Sequence, residues 1–126
     1  MEYVVETNVL IDYVANRFSA VQLERLDDLF DKALNVSIIT KIESLGFNGS
    51  DFEMNKMLLL FNVSNVFPLD NNIADRTIEI KKVVKIKTPD AIIAATALVH
   101  EYTILTRNIS DFKSIQDLKI ENPWEW

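Results

Sequence analysis

An α/β domain built around a mainly parallel sheet of four to five strands is the architecture to expect of this 126-residue chain. Three observations lead there. Short β-like runs alternate with longer segments of helical periodicity, and strands separated by helices pair in parallel with helices on both faces. Only two glycines and three prolines occur, with no linker, repeat or low-complexity tract. Residues 1–126 therefore read as a single domain, long enough to bury a core. Finally, "TPDAIIAATALVHE" is apolar almost all round, the mark of a helix enclosed by other elements.

The elements follow in order. The apolar run Tyr3-Val4-Val5 predicts a first strand over Glu2–Val5, stopped by the carboxylate of Glu6. After Thr7 and Asn8 a helix is expected from about Val9 to Asn16. Ala20–Leu34 places Val21, Leu23, Leu26, Leu29, Phe30 and Ala33 near helical spacing. Val36–Ile39 reads as a second strand, followed by a helix in "TKIESLGF" with Thr40 as its cap and Gly46 at its end. "SDFEMNKMLLLF" opens on a Ser/Asp cap and gives another helix. "NVFPL" is a third strand, and "DNNIADRTIEIKKVV" a helix capped by Asp70 or Asn71. Thr88 as N-cap and Pro89 at the first helical position introduce the apolar helix. "YTILT" is a fourth strand and "LKI" a weak fifth.

Composition sets limits on chemistry. With no cysteine, disulfides, thiolate metal sites and thiol nucleophiles are excluded, as suits a cytoplasmic protein. No apolar run approaches the roughly 20 residues that cross a bilayer. The first residues lack the basic leader and apolar core of a secretion signal, so no membrane partner and no export are expected. The formal net charge is −6, whereas a nucleic-acid binder is usually basic. Either the acidity is that of a well-solvated surface, or carboxylates concentrate in one site and hold cations there.

In an open parallel sheet, ligands bind beyond the carboxyl ends of the strands. Four acidic residues are expected near that rim. Glu6 ends strand one, Glu43 lies in the helix after strand two, Asp90 starts the apolar helix, and Asp111 follows strand four close to Asn108. Most have a plain structural reading as well. Glu43 stands three residues after Thr40, the capping-box spacing. Asp90 in a first helical turn gains about 0.3–1 kcal/mol from the helix dipole. Asp111 in "NISDF" suits a turn or cap. Glu6 is different, since a carboxylate ending an apolar strand gains little from sheet formation. Two carboxylates about 5 Å apart repel by roughly 3 kcal/mol at an effective dielectric near 20. A convergent set calls for a hard divalent cation, and oxygen ligands favour Mg2+ or Mn2+ over zinc. Such an ion suits phosphodiester hydrolysis by an acidic protein, because it supplies local positive charge to a polyanion.

His100, the single histidine, is expected at a solvated helix end. Arg76, Lys81, Lys82, Lys85 and Lys87 form a basic run leading to Asp90, readable as a solvated helix face or as an edge that guides phosphates. Met54, Met57 and "LLLF" suit the core or a subunit interface, and Trp124 and Trp126 a packing anchor.

Four blocks, "VVETNVLIDY", "SIITKIESLGF", "IKTPDAIIAATAL" and "YTILTRNISDF", occur in order over essentially the whole chain, which ends in "LKIENPW". In these the sequence resembles PIN-domain ribonucleases, most closely VapC-type toxins of bacterial toxin–antitoxin pairs. The resemblance implies a three-layer α/β/α fold, an acidic cluster that binds Mg2+ (or Mn2+), and endonucleolytic cleavage of RNA. Glu6, Glu43 and Asp90 occupy its three principal acidic places. Asn108 stands where many relatives carry a fourth acid, with Asp111 nearby as its substitute. Glu6, Asp90 and Asp111 are the implied metal ligands. Thr7 and Asn8 match the polar pair that orients the first acid and its surroundings, and Thr106 a supporting hydroxyl. Homodimers and a tight complex with an antitoxin are implied as well. One departure stands out: the family's first acid is normally aspartate, so Glu6 is expected to keep metal binding and lower turnover. The alternative is a degenerate, non-catalytic domain that only engages a protein partner. Two other acidic phosphotransfer folds fit less well. A haloacid-dehalogenase-like phosphatase needs Asp-x-Asp where "ETN" stands, and the acidic pair, acceptor aspartate and late lysine of a receiver domain are not found.

Overall fold

The computed structural model describes residues 1–126. Its centre is a five-stranded sheet in the order β3-β2-β1-β4-β5, parallel at every pairing. The strands are β1 (Tyr3–Val5), β2 (Asn35–Ser37), β3 (Asn65–Phe67), β4 (Thr103–Leu105) and β5 (Ile120–Glu121). Between them run α1 (Thr7–Val14), α2 (Ala20–Lys32), α3 (Ile38–Leu45), α4 (Asp51–Asn62), α5 (Asn71–Val83), α6 (Thr88–His100) and the short α7 (Ile109–Phe112). A 3-10 turn over Pro123–Glu125 ends the chain.

The layers follow from the two-residue period of a strand, which sends successive side chains to opposite faces. Val4 and Ile104 enter one apolar cluster with Ile73 and Ile80 of α5, Ala91–Ala95 of α6, and Phe112. Val5 and Leu105 enter the other, with Leu10 of α1, Leu26 and Phe30 of α2, and Met57 of α4. Helices thus cover both faces, giving the expected three-layer α/β/α architecture.

Several boundaries differ from the sequence expectation, each for a local reason. The first helix begins at Thr7, because the Glu6 side chain accepts from the Asn8 N–H and caps it. The second strand stops at Ser37, whose hydroxyl accepts from the Ile39 N–H and turns Ile38 and Ile39 into α3. Thr40 therefore lies buried inside α3 and is not its cap. Gly46 does close that helix. Ser50 with Glu53 forms a capping box on α4, and Asp70 caps α5. α6 is capped by Lys87, which offers no side-chain hydrogen bond, so Thr88 is already helical. His100 is half-buried and stacks on Phe67 with ring centroids 4.1 Å apart. Met57 is core, whereas Leu58 and Leu59 are exposed. Trp124 anchors the terminus against Phe18. No helix is long and apolar enough to cross a membrane.

Candidate active site

Strand order reverses at β1, with β2 on one side and β4 on the other. This is the switch point where parallel sheets open a crevice at their carboxyl ends. Glu6 is fixed there by its backbone: its N–H donates to the Leu105 carbonyl at 3.0 Å, one step beyond the β1–β4 ladder. Its side chain is buried, and one carboxylate oxygen accepts from the Asn8 N–H at 2.7 Å. Because α6 leads directly into β4, it runs back against the strands, and its first turn brings Asp90 to the same rim.

The predicted acids feel one another's charge. Burial pushes the Glu6 carboxyl up to about 7; the Asn8 N–H opposes this, while the charges of Asp90, Glu43 and Asp111 add to it. Asp90 is likewise raised, first by burial, then by Asp111 and Glu43, with the Lys87 ammonium pulling the other way. Asp111 projects from the exposed first turn of α7. Asp90 and Asp111 both line a cleft of about 890 Å³ that opens beside the sheet.

The supporting residues are wired differently from the expected arrangement. The Thr7 hydroxyl donates to Glu43 Oε1 at 2.6 Å and shares a 3.2 Å hydrogen bond with Thr40. Thr7 thus orients Glu43, and the capping-box reading of Glu43 falls away with the shifted start of α3. Asn8 holds Glu6 through its backbone, while its amide Nδ2 donates to Thr106 Oγ1 at 3.4 Å. Thr106 in turn accepts from the Asn108 N–H at 3.0 Å, fixing the turn that carries Asp111. Asn108 begins α7 but makes no side-chain cap.

Asp12 and Arg107 were not anticipated. Asp12 is buried on α1 and accepts from Arg17 at 2.9 Å and from Arg107 at 3.0 Å. Arg107, between Thr106 and Asn108, also lies 4.9 Å above the Trp124 ring. The pair ties the β4–α7 turn to α1. A lone carboxylate in the apolar stretch "NVLIDYV" was the available signal, but of its two partners Arg107 lies 95 residues away.

The donor set fits a hard cation: several carboxylate oxygens with no sulfur, and Lys87 as the one cation moderating the repulsion on Asp90. No three acidic or histidine side chains close into a coordination cage. Magnesium rarely needs one, being held by one or two carboxylates together with water and substrate phosphate.

Comparison with known proteins places the chain in a family. A 63-residue stretch is 40% identical to Ribonuclease VapC1 of Rickettsia felis, covering 50% of this chain and 45% of that protein. The match thus spans less than half of the relative's length. Among solved structures, a toxin–antitoxin complex from Klebsiella pneumoniae superposes with a TM-score of 0.78 at 25% identity, over 98% of both chains. VapBC-1 of nontypeable Haemophilus influenzae superposes with a TM-score of 0.77 at 26% identity, over the full length of both chains. The PIN domain sequence model matches residues 3–118. With that match covering nearly its whole length, the chain belongs to the PIN domain family.

Proposed function

We propose that this protein is a divalent-metal-dependent endoribonuclease of the VapC type, the toxin member of a toxin–antitoxin pair. The observation that carries this reading is the grouping of Glu43, Asp90 and Asp111 around the buried Glu6 at the strand-order switch, where the charges of all three raise the proton affinity of Glu6. Glu6 and Asp90 would hold the principal Mg2+ or Mn2+, with Asp111 completing the shell directly or through water. When bound, the ion supplies Lewis-acid polarisation of a phosphoryl oxygen and a more acidic water. Glu43, pinned by the Thr7 hydroxyl, would offer Oε2 as the proton acceptor for an attacking water. Asn8, Thr106 and Asn108 keep the Asp111 turn against the first acid.

A protein partner fits the surface. Phe52 and Leu59 of α4, Val63 just beyond its end, and Ile42 of α3 are exposed apolar side chains. An antitoxin segment and a second copy of the chain are the partners we assign to such surfaces, in line with the complexes in which the structural relatives occur.

Asp90→Asn tests the assignment. It should fold as the parent does and lose RNA cleavage by a factor on the order of 100 or more. Cleavage equal to the parent's would overturn it. Titration with Mn2+ separates this reading from a non-catalytic binding domain, which need not take up the ion.

A further inference from the structure

We propose that the cleft beside the acidic centre carries the phosphodiester backbone of single-stranded RNA away from the cleavage site along a track of lysines. This inference rests on the nuclease reading above and names the path its substrate takes. Asp90 and Asp111 share the lining of the cleft with Lys81, Lys85 and Lys87. All three lysines come from the end of α5 and the segment that joins it to α6.

The placement of charge is what marks this surface. The net charge is −6, and no lysine of the molecule is ion-paired, the salt bridges being those of Arg17, Arg76 and Arg107. Lys81, Lys85 and Lys87 differ from the other lysines in lining one cleft together with Asp90 and Asp111. Arg76, from the same basic run, is bound to Glu79 and does not line the cleft, and neither does Lys82. The run thus divides by geometry. Lys81 donates to the Ile86 carbonyl at 2.6 Å, which holds the connecting segment in a bend and presents Lys85 and Lys87 beside it. Unpaired cations next to a repelling acidic cluster are suited to a ligand that brings its own negative charges at regular intervals. Ser110 and Ser114 also line the cleft, with hydroxyls able to hydrogen-bond phosphate oxygens or ribose 2′-OH groups. Val84 and Ile86 add apolar surface on which a base can rest.

The test uses a fluorescent single-stranded RNA of about a dozen nucleotides, with the full chain in an Asp90→Asn background so that the RNA stays intact. Binding is measured by anisotropy across a salt series. Lys85→Gln/Lys87→Gln should weaken binding on the order of tenfold near 0.1 M salt and lower the log–log salt slope by about 1.4, or 0.7 per phosphate contact. The control, Lys32→Gln/Lys119→Gln, removes the same charge from surfaces outside the cleft and should leave slope and affinity near the parent's. Lys81→Gln is kept separate because of its bond to Ile86. Unchanged affinity and slope in the Lys85/Lys87 variant, or an equal loss in the control, would overturn the proposal. Cleavage by chains with the native Asp90 is scored independently. A chain that cleaves RNA but binds it independently of Lys85 and Lys87 sinks the track while leaving the nuclease reading intact.

Discussion

Glu6 combines two demands in one side chain, and the conflict is measurable. Its carboxylate caps α1 through the Asn8 N–H and also faces three other acids. In metal-free protein its proton affinity is raised above the ordinary carboxylate range to about 7. A raised folded-state value favours the protonated form. The associated stability is therefore fully present below about pH 4.5 and is lost as pH rises through about 7. Urea unfolding in a chelator should show a decline of up to about 3 kcal/mol across that window. Glu6→Gln should flatten the decline, and an equally steep profile in that variant would rule the mechanism out. The same side chain bears on rate. Glu6→Asp withdraws the carboxylate by one methylene, and metal-dependent RNA cleavage should rise on the order of tenfold, since sub-ångström placement governs such steps. Equal rates would show that the longer acid costs nothing. The acids themselves were legible in the sequence, because each interrupts or opens an otherwise apolar pattern. Their hydrogen-bond partners were not: Thr7 and Glu43 are 36 residues apart, and no local periodicity encodes which hydroxyl meets which carboxylate.

The helices and their joints show a similar division. α6 was recognisable from its uninterrupted apolar run, and Ala91–Ala97 are indeed buried. Its start was not, because Thr88 and Pro89 look like a cap and first helical residue while the capping position falls on Lys87. Lysine offers no oxygen to the free N–H groups, and its charge opposes the positive end of the helix dipole. Lys87→Ser should therefore stabilise the protein by about 0.5–1 kcal/mol while weakening RNA binding. Denaturant midpoint and RNA affinity moving in the same direction would contradict this exchange of stability for binding. The joint between α1 and the β4–α7 turn depends on Asp12. Its side chain is 5% exposed, whereas Arg17 and Arg107 are 66% and 53% exposed. Asp12→Ala leaves two arginines that already reach water, so the expected loss is only about 1–2 kcal/mol. Replacing both arginines with glutamine strands a buried carboxylate and should cost about 3 kcal/mol or more. The reverse ranking in urea unfolding would show that Asp12 is not a buried charge held by these two partners.

For the molecule as a whole, alternation of short strands and helices was enough to fix the layers and the parallel sense of the sheet, since crossover connections leave few other arrangements. Strand order was less accessible. β1 takes the central place because two of its three residues, Val4 and Val5, are fully buried on opposite faces, but so short a strand carries little information about its neighbours. The weak fifth strand exists because Ile120 and Glu121 find β4 at the edge. The central pairing, Val5 with Leu105, has a consequence for biosynthesis. Half of the acidic centre is translated at the outset and must wait for the other half. Until residues beyond 105 have left the ribosome, β1 has no partner on that side and Glu6 no Leu105 carbonyl to hold its backbone. On the nuclease reading proposed above, a nascent chain is accordingly harmless to the transcript being read, since the acidic centre is incomplete until that late segment has been made.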